Sequence, residues 1–147
     1  MKISDIFEMS QEEIGSIESE IKKSFVSIGI IINFSKHFGD RVVDGAVDEK
    51  GYSRDNVTSD ELFEVFRKLK KHYKSIFAEA GNFNDEVKRG EFQGVIMDVF
   101  KKINIPFTLD FNKTKGKYVL TCKTIMKKDN FHAKPTDHVI ALRGSAE

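Results

Sequence analysis

The hydrophobic period of this chain changes near Pro106. Before it, most apolar residues recur every three or four positions; after it, they recur every second position. A stripe of period 3.6 reaches one face only on a helix, and a stripe of period 2 only on a strand. Helices first and paired strands later predict an α+β domain, with N-terminal helices packed on a C-terminal antiparallel sheet made largely from residues 105–142. With 147 residues, the chain has the length of one ordinary domain and can bury about two-thirds of its unfolded surface. We read 1–142 as that domain. Arg143-Gly144-Ser145-Ala146-Glu147 reads as an appended linker, outside fold reasoning.

Local signals divide the first part. Ser10-Gln11-Glu12-Glu13 has the form of a capping box, and Ile14, Ile17, Ile21 and Phe25 follow at helical spacing, predicting a helix over 10–27. Ile30-Ile31-Ile32 is β-branched and short, so it is a strand or a buried connector. Ser35 is placed to cap a short helix carrying Phe38 and Val42. Residues 45–57 have turn composition and read as an exposed loop. Thr58-Ser59-Asp60-Glu61 opens the longest helix, whose buried stripe is Leu62, Val65, Phe66, Leu69 and Ile76, with Gly81 as its stop. After the polar stretch 82–90, the spacing of Phe92, Val95, Ile96, Val99 and Phe100 predicts a third helix over 91–102. Phe107, Leu109 and Phe111 then make a half-buried strand, 112–116 a turn, Tyr118 to Met126 the returning strand of a hairpin, and 139–142 a last short strand.

Composition narrows the function classes. A single Cys excludes an internal disulfide framework and a cysteine-based zinc site. No apolar run approaches a membrane span and the start lacks a signal-peptide core, so the expectation is a cytoplasmic protein with no membrane partner. Net charge is +1, which predicts no polyanion partner by itself; local clustering must carry any such case. Asp5, Glu8, Glu12, Glu13, Glu18 and Glu20 make the amino end acidic, whereas 67–74 and 113–128 are rich in lysine. Solvated faces are the bland alternative for each basic segment.

Among the four His residues, His72 reads as a solvated helix residue. His132 and His138 lack a third ligand at metal spacing, so neither metal nor cofactor is expected. His37 is followed by Asp40 and Arg41, one helical turn on. A His oriented by a carboxylate, beside a guanidinium, is what proton transfer on a phosphodiester requires. The alternative is a helix-surface Asp40–Arg41 pair with His37 half-buried.

The segment Ser35-Lys36-His37-Phe38-Gly39-Asp40-Arg41-Val42, followed by Leu62-Phe63-Glu64-Val65-Phe66, resembles the RegB-type endoribonucleases of T-even phages, within the wider RelE/barnase/colicin-type ribonuclease fold. His37 to Val42, Asn104 to Phe107 and Lys123 to Phe131 also resemble a group of small tailed-phage proteins. The resemblance implies a RelE/RegB-like fold and a metal-independent endoribonuclease that attacks through the RNA 2′-hydroxyl and leaves a 2′,3′-cyclic phosphate. It implies His37, Arg41 and Arg67 as catalytic residues, with Lys115, Lys117 and Lys123 holding RNA. One position departs: where the RegB pattern has a second functional His, this chain has Arg67. The loop 45–57 is also longer than the RegB connection. The alternative is therefore a non-catalytic phage accessory or virion protein that keeps the fold and binds nucleic acid or a host protein. The catalytic reading requires His37, Arg41, Arg67 and Lys123 to converge on one concave basic surface.

Overall fold

The structure is a computed structural model that describes residues 11–44, 57–127 and 138–142. Helix α1 (Gln11–Val26) buries Ile14, Ile17, Ile21 and Phe25, the expected stripe. Its expected cap, Ser10, lies outside the described residues. Gly29, at φ +86°, turns the chain into strand β1 (Ile30–Phe34). The Glu18 carboxylate accepts the Phe34 amide at 2.7 Å, which satisfies a donor on this edge strand. Helix α2 (Lys36–Asp44) follows.

Helix α3 (Ser59–Lys71) begins with a complete capping box: the Thr58 hydroxyl accepts the Glu61 amide, and the Glu61 carboxylate accepts the Thr58 amide, both at 3.1 Å. Leu62, Val65, Phe66 and Leu69 are buried along it. The expected single helix to Gly81 breaks at His72, and α4 (Tyr73–Asn82) carries Ile76 into the same core. A further short helix, α5 (Asn84–Lys88), lies in the stretch read as merely polar. Val57, read as part of an exposed loop, is buried; the rest of that loop lies outside the described residues.

The predicted helix over 91–102 is strand β2 (Phe92–Asp98). Its apolar spacing imitates a helix because Val95, on the face opposite Phe92 and Ile96, is buried as they are, so strict alternation is lost. Gly94 fits the strand reading: a Cβ there would lie 2.6 Å from the Phe107 ring and 2.7 Å from the His138 carbonyl oxygen. Strands β3 (Ile103–Asn112), β4 (Lys117–Cys122), β5 (Met126–Lys127) and β6 (His138–Leu142) complete the sheet.

The strand order is β1-β4-β3-β2-β6, with β5 pairing the start of β3. β2, β4 and β5 run antiparallel to β3, as the hairpin pattern requires. The two outermost strands run parallel to their neighbours, β1 to β4 and β6 to β2. The sheet is therefore mixed, and it draws two of its strands from outside 105–142. Both parallel strands join the sheet through longer connections, which a parallel pair demands and a hairpin cannot supply. Pro106 sits inside β3 without breaking it. Its carbonyl accepts the Lys123 amide at 2.8 Å, so its missing donor falls between the ends of β4 and β5, where no ladder bond is lost. Alternate residues Ile32, Leu120, Leu109, Phe107, Phe92 and Ile96 face the helices, and all are buried in one core.

Candidate functional site

Ser35 builds the first candidate corner. Its hydroxyl donates to the Lys123 carbonyl at 2.8 Å and accepts the Phe38 amide at 3.0 Å, while its own amide donates to the Cys122 carbonyl at 3.0 Å. One side chain thus caps α2 and ties its start to the end of β4. His37, exposed in the first turn of α2, and the exposed Lys123 are brought to the same corner of the sheet. Arg41 belongs to α2, and its side chain lies outside the described residues.

Lys115 and Lys117 stand at the other end of β4. The Asn112 side-chain carbonyl accepts the Lys115 amide at 3.0 Å, and Gly116 closes the turn at φ +63°. Six residue steps along β4 separate Lys117 from Lys123, about 20 Å at strand rise. One phosphate therefore cannot engage both; an RNA strand of several nucleotides would have to run along the hairpin.

Arg67 is exposed on α3, its Nε donating to the Phe63 carbonyl at 3.4 Å. It lines a cleft of about 190 Å³ between α1 and α3, with Glu20, Ser24, Ile21 and the rings of Phe25, Phe63 and Phe66. A second, more open cleft of about 570 Å³ continues from Glu20 and Phe63 past Ser16 and Ile17 to Glu12, Glu13 and Ser59. Neither is lined by His37, Lys123, Lys115 or Lys117. The reason lies in α1. Its Ile14 backs onto Gly39 of α2 and its Glu18 closes β1, whereas Glu20 and Ser24, on its other flank, face α3. His37 and Arg67 are both exposed, but only Arg67 lines the α1–α3 cleft. The other charged residue lining Arg67's cleft is the carboxylate Glu20, which disfavours a phosphate there.

Compared with known protein families, curated proteins and solved structures, the chain matches none.

Two arrangements went unread in the sequence. Lys68, within the lysine-rich segment 67–74, is buried at 2% exposure against Asp98 at 1%; its place beside the Leu62–Val65–Leu69 stripe is the available signal. His138 stacks on the Phe92 ring with centroids 4.2 Å apart and lies equally close to Phe83. Its Nδ1 faces Glu79 at 3.5 Å and its Nε2 faces Glu86 at 3.4 Å. Each ring nitrogen thus meets a different carboxylate, which ties β6 to α4 and α5 and directs no two of these groups at a common ion. Among the described residues, no group of three or more His, Cys, Asp or Glu is arranged to hold a metal, and no helix is long and apolar enough to cross a membrane. His132 lies outside the described residues.

Proposed function

We propose that this chain is a binding protein, the accessory alternative raised by its sequence, and that its working surface is the double cleft between α1 and α3. The observation that carries this reading is the cleft's chemistry: aromatic and aliphatic walls from Phe25, Phe63, Phe66 and Ile21, bordered by Glu12, Glu13 and Glu20 against Arg67, the one cation among the described lining residues. An apolar wall with an acidic border suits a protein surface that offers a hydrophobic side chain among lysines or arginines. It suits a polyanion poorly, because nucleic-acid affinity grows with the number of phosphates neutralised.

Endoribonuclease activity is the second reading, favoured by the Ser35–Lys123 bond that brings His37 and Lys123 to one corner. One experiment separates the two. Bulk RNA is incubated with the purified chain in EDTA and resolved by electrophoresis, alongside His37→Ala. The binding reading expects intact RNA with both proteins. Cleavage by the parent chain that disappears in His37→Ala would overturn it and establish the nuclease.

A further inference from the structure

Phe111 and Tyr118 are partners across the β3–β4 hairpin, and Tyr73 and Phe77 stand one turn apart on α4. The two pairs meet. Ring centroids lie 5.7 Å apart from Tyr73 to Phe77, 5.5 Å from Phe77 to Tyr118 and 5.1 Å from Tyr118 to Phe111. Gly29 joins them: its carbonyl accepts the Tyr118 amide at 3.0 Å, and a Cβ on it would touch the Phe77 ring at 3.8 Å. Four rings thus form one row from α4 to the end of the sheet. Phe111 is 40% exposed at the outer end, and the other three are half-buried. Helix spacing and strand register place every ring, so little freedom is left to lose when a ligand lies on them.

The charge beside the row is positive. Lys74 follows Tyr73 on α4, and the turn that joins Phe111 to Tyr118 carries Lys113, Lys115 and Lys117. Lys74, Lys113 and Lys115 are exposed and Lys117 is half-buried. Carboxylates of this chain pair with Lys22, Lys68, Lys101, Lys127 and Arg89. Among the described residues, none pairs with the four lysines beside the row. The nearest acid along β3, Asp110, projects from the face opposite Phe111, with its Oδ1 3.0 Å from the place of a Cβ on Gly90. Glu79, on α4, is turned to His138.

Each nucleotide of a single strand offers a flat base and one negative phosphate. Aromatic rings take the first by stacking, and lysines take the second. A duplex keeps its base faces in its own stack, and an acidic polypeptide has no flat face to set beside each charge. We propose that the Tyr73–Phe77–Tyr118–Phe111 row is a stacking platform for a single-stranded polynucleotide, whose phosphates lie along Lys74 and the turn lysines. Stacking does not read the sugar, so DNA and RNA strands bind alike. The row shares no residue with the lining of the α1–α3 clefts, so the proposal goes beyond the binding reading above and does not depend on it.

The test is fluorescence anisotropy of a labelled oligodeoxythymidylate of about 20 nucleotides, titrated with the whole chain at about 50 and 200 mM salt. A DNA strand has no 2′-hydroxyl, so RNA cleavage cannot disturb the titration. Half-saturation is expected below about 100 μM at the lower salt, with weaker binding at the higher. Phe111→Ala, checked for folding by circular dichroism, is expected to bind at least about tenfold more weakly, and Phe111→Trp, which keeps a stacking face, as tightly as the parent. Lys113→Glu/Lys115→Glu is expected to bind at least about tenfold more weakly and to show a shallower salt dependence. The same strand annealed to oligodeoxyadenylate is expected to bind at least about tenfold more weakly than alone, and an oligouridylate of equal length within about threefold of it. No binding at the lower salt, unchanged binding by Phe111→Ala, Phe111→Trp as weak as Phe111→Ala, or a duplex bound as tightly as the single strand overturns the proposal. Displacement of the strand by polyglutamate at equal charge also overturns it, in favour of an acidic polypeptide. Oligouridylate bound at least about tenfold more tightly than the DNA strand overturns it in favour of a site that reads the 2′-hydroxyl.

Discussion

The Lys68 ammonium lies 2.9 Å from Oδ2 and 3.2 Å from Oδ1 of Asp98, inside the core. Glu64 stands farther out, 3.9 Å from the same ammonium. This pair joins the middle of α3 to the end of β2, and through Asp98, which accepts the amides of Phe100 and Lys101, it sets the backbone of the turn between β2 and β3. Removing one member strands the other charge away from water, so Lys68→Met or Asp98→Asn should each cost about 3–5 kcal/mol. Lys68→Met combined with Asp98→Asn should cost less than the two single losses summed, because the double variant leaves neither charge buried without its partner. Urea unfolding of the three variants measures this; strict additivity would show that the two groups do not act as a pair.

Phe66 is the centre of the helical side of the core. It is 2% exposed, edge-on to Phe25 with centroids 6.2 Å apart, and 5.8 Å from Phe34. Truncation to Ala should cost about 3–5 kcal/mol, as expected for a large cavity among rigid neighbours. A loss under about 1 kcal/mol in the same unfolding assay would mean that the cluster collapses around the gap.

These two sites also show where sequence reading succeeds and stops. Phe66 was legible because Leu62, Val65, Phe66 and Leu69 keep a helical period on a helix with one wet face. The β3–β4 hairpin was legible for the matching reason. Strand β2 was not: Val95 and Ile96 are adjacent and both buried, so no period separates inner strand from helix. The direction of β1 and β6 was hidden as well, since parallel pairing depends on where long connections return the chain. Of the candidate site, the tie between His37 and Lys123 runs through Ser35, whose capping role was visible and whose second bond was not. Nothing in local spacing reports that Arg67 shares a cleft with Glu20 and Ser24 of α1 and that His37 does not line it.

Cys122 should be chemically silent in the folded protein. It is wholly buried between β4 and the helices, and burial pushes its thiol far above the ordinary range, with the charge of Glu18 adding to the effect. The thiolate is the reactive form. Labelling by an aromatic disulfide reagent at neutral pH should therefore be slow and limited by opening of the sheet, and should become fast and complete in urea. Native labelling as fast as that of the unfolded chain would place β4 in a frequently opened part of the structure.

Glu61 supplies the acid sensitivity of α3. Burial raises its carboxyl, but the hydrogen bond from Lys127 at 2.8 Å, the Thr58 amide and the Lys127 charge together outweigh burial and hold it below the ordinary value of 4.5. A carboxyl whose pKa is lower when folded than when unfolded stabilises the protein above the unfolded value, and that contribution fades as pH falls through the folded one. The parent chain should thus be more stable than Glu61→Gln near neutral pH, and the gap in thermal midpoint should narrow progressively below about pH 4.5. Lys127→Met should narrow it over the same window, because it removes the cation while leaving the Thr58–Glu61 capping box in place. Thermal melts of the three chains from about pH 7 to pH 3 decide the matter. A gap that stays constant across that range would show that Glu61 acts only as a helix cap, with no charge-dependent share in stability.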